Sequence, residues 1–352
     1  MTEENQLDYK KNLTKIVFKK IGQEILADDL EIVASQDNWG YRNKIEFSFT
    51  TDQDNLPTLA FNKRYLYNDF SAVDGCLLAP EVLNNCAQEI LQVLRKNKEV
   101  KVGDLKNLTL RYSFAGNSCL AVLYVKTPDF PKISVTAPNL AGWLVVYSDP
   151  LSPSAVITEE LLVEGDDFLS ENIDGQKLFY CYQDFFQINP PAFSNVIKEL
   201  KKVLTDGEVL IDLYSGVGTI GFCLAEKFKK IYSAEIAGSS QIAAEKNISS
   251  LGLKDKVEFL SIPADNFSFT DLNLTNDATI IVDPPRSGLE GKILKNILEF
   301  SPKTLVYLSC NPATQARDWL ALKDNYKITS HKLFDFYPQT PNVESLLILE
   351  RK

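Results

Sequence analysis

An α/β domain preceded by an α+β or antiparallel β domain is the architecture this sequence predicts, and three observations carry it. The chain has 352 residues, more than one ordinary domain holds and about right for two. After residue 180, apolar β-branched runs alternate with stretches of helical periodicity. Before that point, short β-rich runs follow each other closely. The expected domains are therefore 1–180 and 181–352.

In the first half, Asn43–Thr50, Asn107–Tyr112, Leu120–Val125 and Gly142–Tyr147 read as strands, because they alternate or are rich in aromatic and β-branched residues. One helix interrupts them at Ala79–Lys96, where Leu83, Cys86, Ile90, Leu91 and Leu94 recur at three- and four-residue spacing. In the second half, strands are expected at Val209–Tyr214, Lys230–Glu235, Val257–Ile262, Thr279–Asp283 and Thr304–Ser309. Helices are expected near Gly218–Phe228, Ser239–Ser250, Glu290–Phe300 and Ala313–Leu322. Repeated βα steps imply a parallel sheet covered on both faces. Tyr326–Phe336 and Val343–Glu350 follow with no helix between them. They should form a hairpin, so one of them runs antiparallel to the rest.

The composition narrows the chemistry. Hydrophobic residues make up 45% and charged residues 24%, proportions of a folded globular chain. No apolar run approaches the length that spans a bilayer, and the polar, acidic start carries no secretory signal. The six cysteines are scattered without a C-x-x-C pair, which points to reduced thiols in the cytoplasm rather than disulfides or zinc. With His331 the sole histidine, a multi-histidine metal site is impossible; that residue reads as a packed or solvated strand residue. Net charge is -10, and acidic side chains outnumber basic ones in both halves. Any nucleic-acid binding must therefore use local patches.

Asp212-Leu-Tyr214-Ser-Gly216-Val-Gly218-Thr-Ile-Gly221 joins an expected strand to an expected helix. Glycines let this backbone turn tightly and approach a ligand, and the helix start offers free N–H groups. The string also fits G-x-G-x-x-G, with Glu235 lying 19 residues after Gly216. On its own it does not separate NAD from S-adenosylmethionine. Asp212 favours the methyl donor: a sulfonium with an amino-acid tail gains from a nearby carboxylate, whereas a pyrophosphate does not. Glu235, at a strand end, can accept from both ribose hydroxyls. Asp265 is a candidate adenine contact, with a surface acid as the equal alternative.

Ligands of open α/β sheets sit beyond the carboxyl ends of the strands. Asp283 ends one strand in Asp283-Pro-Pro-Arg286, and Cys310 ends the next in Ser309-Cys310-Asn-Pro312. Cys310 precedes a helix start, a position expected to favour its thiolate. If the last strand is antiparallel, Glu344 begins it at the same edge. Cys310, Asp283 and Glu344 then converge, and a thiolate nucleophile with a carboxylate base is a covalent-catalysis pair.

At these residues the sequence resembles the RNA uracil-C5 methyltransferase family, which makes 5-methyluridine in tRNA and large-subunit ribosomal RNA. The resemblance covers most of the chain: Tyr41-Arg-Asn-Lys-Ile-Glu-Phe-Ser-Phe49, Phe185-Phe-Gln187-Ile-Asn-Pro190, the Asp212 loop, Asp283-Pro-Pro-Arg286, Ser309-Cys310-Asn311-Pro312 and Val343-Glu344. It implies a class I S-adenosylmethionine methyltransferase fold with a seven-stranded sheet. It implies S-adenosylmethionine as cofactor, with Gln187, Tyr214, Glu235 and Asp283 lining its site beside the Asp212, Gly216 and Gly218 loop. Cys310 would be the nucleophile and Glu344 the proton acceptor, because C5 of uracil becomes nucleophilic only after a thiolate adds at C6. The target base must leave its stack to reach the cysteine. The implied partner is tRNA or rRNA, not DNA and not a membrane, for a monomeric cytoplasmic enzyme. Arg42, Lys44, Lys63 and Arg64 are candidates for phosphate contact. Many relatives carry an amino-terminal OB-like RNA-binding domain, for which no room is expected before Tyr41. Others carry a four-cysteine iron–sulfur site; no cysteine precedes Cys76, so no cluster is expected. Two other readings stay open. A NAD(P)-dependent oxidoreductase would use the same loop, and a catalytically silent RNA-binding module would not need Cys310 and Glu344.

Overall fold

The computed structural model describes residues 1–21, 30–63, 69–152, 156–270, 272, 274–289 and 291–352. In chain order, α1 (Glu3–Lys20) and β1 (Glu31–Val33) come first. Then follow β2 (Lys44–Thr51), β3 (Pro57–Asn62), β4 (Phe70–Ala72), α2 (Glu81–Lys96), β5 (Leu105–Ser113), β6 (Ser118–Val125), β7 (Leu140–Tyr147) and β8 (Glu159–Gly165). β9 (Phe168–Ile173) and β10 (Gln176–Cys181) form a hairpin. The rest of the chain is α3 (Pro190–Val203), β11 (Gly207–Leu213), α4 (Thr219–Cys223), β12 (Phe228–Ala234), α5 (Gly238–Ser250), β13 (Val257–Leu260) and β14 (Thr279–Val282). It ends with α6 (Gly291–Phe300), β15 (Thr304–Ser309), α7 (Pro312–Leu322), β16 (Tyr326–Phe334) and β17 (Glu344–Arg351).

The chain divides into two units, Met1–Asn38 with Asn172–Lys352, and Trp39–Glu171. This corrects the single boundary expected after residue 180. The first 38 residues belong with the carboxy-terminal unit because β1 adds to its sheet, Glu31, Ile32 and Val33 pairing in parallel with Lys332, Leu333 and Phe334 of β16. α1 contributes Phe18 to the same core.

The Trp39–Glu171 unit is a mixed sheet in the order β4-β3-β2-β5-β6-β7-β8, antiparallel except for the β6–β7 pair. A parallel pair needs a crossover. Residues 126–139 supply it, burying Phe130, Ile133 and Val135 and taking the Trp143 indole N–H on the Ile133 carbonyl at 2.6 Å. α2 lays Leu83, Cys86, Ile90, Leu91 and Leu94 against Ile45, Phe47, Leu108 and Leu110, as its apolar spacing requires.

In the other unit the sheet runs β1-β16-β17-β15-β14-β11-β12-β13. The expected seven strands are present, with β1 as an eighth at the edge. β17 pairs antiparallel with both β15 and β16, as the helix-free connection required. Strand order reverses at β11, which has β12 on one side and β14 on the other. That is the switch point where the carboxyl ends leave a crevice. Ile211, Leu213, Ile280, Val282, Leu305, Tyr307, Leu347 and Leu349 fill the core beneath it. The helix expected over 218–228 is shorter: α4 ends at Cys223 and Phe228 already opens β12. Glu290, the expected start of α6, lies outside the described residues.

Candidate active site

The site grows from the ends of five neighbouring strands, β12, β11, β14, β15 and β17. β11 delivers Asp212 and the glycine loop. Tyr214 takes φ 63°, Gly216 φ 55° and Gly218 φ 85°. A tyrosine in this left-handed region is strained, and such strain concentrates where a loop is shaped for a ligand. Gly218 cannot be replaced cheaply, since a Cβ there would meet the Phe222 ring at 2.1 Å. Asp212 is 1% exposed. Its Oδ2 accepts from the Gly221 N–H at 2.8 Å, while Oδ1 is buried with no partner. Burial, then the neighbouring Asp283 and Glu235, push its pKa up to about 7. Ser215 Oγ in the same loop is also buried without a partner.

Glu235, just past β12, closes the loop from the side. Its Oε2 accepts from the Gly216 N–H at 3.0 Å, and Oε1 from the Ile236 and Ala237 N–H groups at 2.9 and 3.0 Å. These bonds hold the carboxylate rigid; Oε1 is filled by its two donors, and Oε2 keeps acceptor capacity. Gln187, in the segment before α3, donates from Nε2 to Asp283 Oδ2 at 3.1 Å. Asn189 fixes that segment: it caps α3 at Pro190 and donates to Ser35 Oγ at 3.0 Å and the Phe336 carbonyl at 3.2 Å. Asp283 keeps partial solvent contact, but crowding by protein still pushes it up to about 7, with the Gln187 bond opposing.

The strand register brings the two candidate catalytic residues together. Ser309 pairs with Ser345 across β15 and β17, so Cys310 and Glu344 are the next facing positions. Glu344 also faces Phe334 of β16, placing it between two strands and 4% exposed. Its Oε1 accepts from the Tyr337 hydroxyl at 3.0 Å, and its Oε2 is buried with no partner. Burial and then Asp283 hold its pKa well above the carboxylate range, opposed by Tyr337 and Arg286.

Cys310 differs from expectation in one respect. Asn311, not Cys310, is the cap of α7, accepting from the Ala313 N–H at 3.2 Å. Burial, Glu344 and Asp283 instead push the thiol up to about 11, with Arg286 opposing. Arg286 is held there by its carbonyl, which accepts from Asn311 Nδ2 at 3.0 Å and Thr314 Oγ1 at 3.3 Å.

Two residues of the site, Tyr337 and Arg286, are additions to the set expected from sequence. Arg286 stands in the Asp-Pro-Pro-Arg string and carries a signal; Tyr337 carries none. Asp265 has its Oδ1 buried without a partner, as an adenine contact would use. His331 is packed, its ring 5.0 Å from that of Phe18 and Nε2 2.9 Å from Ser345 Oγ; burial lowers its pKa to about 4. Of the phosphate candidates, Arg42 has a buried Nε without a partner, Lys44 faces Arg111 across β2 and β5, and Lys63 pairs with Asp69 at 2.9 Å. Arg64 lies outside the described residues. Among the described residues no cluster of His, Cys, Asp or Glu is placed to hold a metal ion, and no helix is long and apolar enough to cross a membrane.

A switch-point loop with an unsatisfied buried carboxylate suits a cationic nucleoside ligand, and the cysteine and glutamate beyond it suit covalent transfer. The protein is a methyltransferase with the class I fold that uses S-adenosylmethionine. The family model described as tRNA (Uracil-5-)-methyltransferase matches residues 2–352, and the chain belongs to that family. An uncharacterized RNA methyltransferase of Fusobacterium nucleatum is 29% identical over 375 residues, covering 99% of this chain and 78% of its own length. Another, from Caldanaerobacter subterraneus, is 29% identical over 372 residues, covering 100% and 81%. The fold is shared with the Pyrococcus abyssi tRNA (uracil-54, C5)-methyltransferase solved with S-adenosyl-L-homocysteine, at a TM-score of 0.81 and 24% identity over 99% of this chain and 84% of that one.

Proposed function

We propose that this enzyme methylates C5 of a uridine in RNA, with Cys310 as nucleophile and Glu344 as the base that removes the C5 proton. The observation that carries the reading is the Ser309–Ser345 register, which sets Cys310 against a glutamate whose Oε2 is buried and unpartnered. A base kept this far from water and pushed above its ordinary pKa is suited to take a proton from carbon near neutral pH.

The Cys310 thiolate adds to C6, and the C5–C6 electron pair moves onto the C4 carbonyl as an enolate. S-adenosylmethionine, when bound, supplies the methyl group that C5 takes and leaves as S-adenosylhomocysteine. Glu344 then removes the C5 proton, the C5–C6 double bond re-forms, and the Cys310 sulfur departs as thiolate. Asp212, Glu235, Gln187 and Asp283 with the Tyr214–Gly218 backbone would hold the cofactor; the orphan Asp212 Oδ1 offers an acceptor to its cationic groups. The RNA is tRNA or rRNA, with the Trp39–Glu171 unit serving recognition and Arg42 and Lys44 contacting phosphate.

The test is methyl transfer from labelled S-adenosylmethionine to unmodified tRNA and ribosomal RNA, followed by nucleoside analysis. The expected product is 5-methyluridine. Cys310→Ala should abolish both transfer and covalent attachment. Glu344→Gln should leave methylated RNA joined to Cys310, visible as a slow band on a denaturing gel. Normal turnover by Glu344→Gln would sink the assignment of the base.

A further inference from the structure

We propose that Tyr337 is a positioning residue for Glu344: its hydroxyl holds Oε1 so that Oε2 alone meets the C5 proton. This rests on the reading of Glu344 as base. The terminal torsion of a glutamate is broad, so an unheld carboxylate would present either oxygen. Here one oxygen is tied at 3.0 Å and the other is left buried and empty.

The segment carrying Tyr337 is itself fixed at both main-chain groups. Its N–H donates to Asp335 Oδ1 at 3.1 Å, and its carbonyl accepts from Lys10 Nζ at 3.0 Å. Lys10 and Asp335 form an ion pair at 2.6 Å with side chains 1% and 4% exposed. A lysine so deeply buried is costly, and tying both ends of the Tyr337 residue gives it a role. Farther along, Gln6 grips Gln339, accepting from its N–H at 2.9 Å and donating to its Oε1 at 3.1 Å. Thus α1, remote in sequence, sets the loop that carries the phenol to the base. Burial and Glu344 push the phenol pKa upward, so it remains a donor.

The groups facing Glu344 are Asp283 from β14, Cys310 from β15, Arg286 from the loop after β14, and Tyr337 itself. Asp283 and burial favour the protonated acid, whereas Tyr337 and Arg286 favour the carboxylate. Losing the phenol therefore both frees the carboxylate and makes it harder to ionise.

The experiment follows adduct formation and breakdown separately, in single turnovers of the full-length protein with a labelled RNA that the wild type methylates. Tyr337→Phe should form adduct at the wild-type rate. Its breakdown at neutral pH should slow about tenfold to a hundredfold, and the acid limb of the breakdown profile should move up by about one to two pH units. In a Glu344→Gln background, Tyr337→Phe should add nothing. RNA containing 5-fluorouridine has no C5 proton to lose, so it should give a persistent adduct with both proteins. A breakdown profile matching wild type overturns the proposal, as does loss of adduct formation in Tyr337→Phe. If Glu344→Gln traps adduct while Tyr337→Phe behaves as wild type, only this proposal falls. If Glu344→Gln releases product normally, the base assignment falls with it.

Discussion

Glu171 and Glu344 are 2% and 4% exposed, one in each unit, yet they are treated in opposite ways. Glu171 is satisfied at both oxygens: Oε2 accepts from the Phe114 N–H at 2.8 Å and Oε1 from the Ala115 N–H at 2.9 Å. It pins the turn between β5 and β6. Glu344 has one hydrogen bond and one empty oxygen. A buried charge normally requires full compensation. A carboxylate denied it lowers stability, and its counterpart is to be sought in a ligand or a reacting proton. Asp212, with one oxygen on Gly221 and one empty, follows Glu344 rather than Glu171.

The largest effect expected from this contrast lies in the buried Lys10–Asp335 ion pair. Lys10→Met leaves Asp335 charged and unpaired in the interior, at a cost of about 3–5 kcal/mol. Urea unfolding followed through Trp319, in the same unit as Lys10, should detect it. A loss below about 1 kcal/mol would mean that water reaches Asp335 and compensates it.

Next comes Glu235, which like Glu171 is held at both oxygens by backbone N–H groups but is only half-buried. Glu235→Ala removes the loop's brace and the expected ribose acceptor together. A charge-assisted bond contributes about 1.5–3 kcal/mol, so S-adenosylmethionine affinity should fall by one to a few orders of magnitude. Calorimetry showing unchanged affinity would remove Glu235 from the cofactor site.

The paired test of the comparison itself is isosteric. Glu171→Gln turns one acceptor into a donor facing a backbone N–H and should cost about 1–3 kcal/mol, read through Trp143 of its own unit. Glu344→Gln removes a poorly compensated acid and should change stability by less than about 1 kcal/mol while trapping the adduct. Equal losses at both sites would erase the distinction.

The same contrast explains which parts of the molecule are legible in the sequence. β14, β15 and β17 are dense apolar runs, so their ends, and with them Asp283, Cys310 and Glu344, are located by hydrophobic pattern alone. α1 escapes that pattern because its buried face is Gln6, Lys10, Thr14 and Phe18, three polar residues where periodicity looks for apolar ones. β1 is three residues long and too short to carry a pattern. α3 is absent from the expected elements although it does carry one, Phe193, Val196, Ile197 and Leu200 behind an Asn-Pro start. The Tyr337–Glu344 contact spans seven residues of irregular loop, and no spacing rule predicts it.

The smallest effect concerns Cys310, where helix position and electrostatic surroundings make opposite claims. A helix-start thiolate would be alkylated at a rate nearly independent of pH above neutrality. The structure instead sets the thiol among buried neighbours and two carboxyl groups, with its pKa up to about 11. At pH 7 the ligand-free protein should then hold about one thiolate in ten thousand at this residue. Iodoacetamide labelling of Cys310, read by peptide mass spectrometry, should rise about tenfold per pH unit from 7 to 9. The sign of each neighbour can be checked in the same assay. Glu344→Gln removes a negative neighbour and should speed labelling, whereas Arg286→Ala removes the opposing cation and should slow it. A flat profile, unmoved by either substitution, would restore the helix start as the dominant influence and remove the carboxyl pair from the account of this thiol.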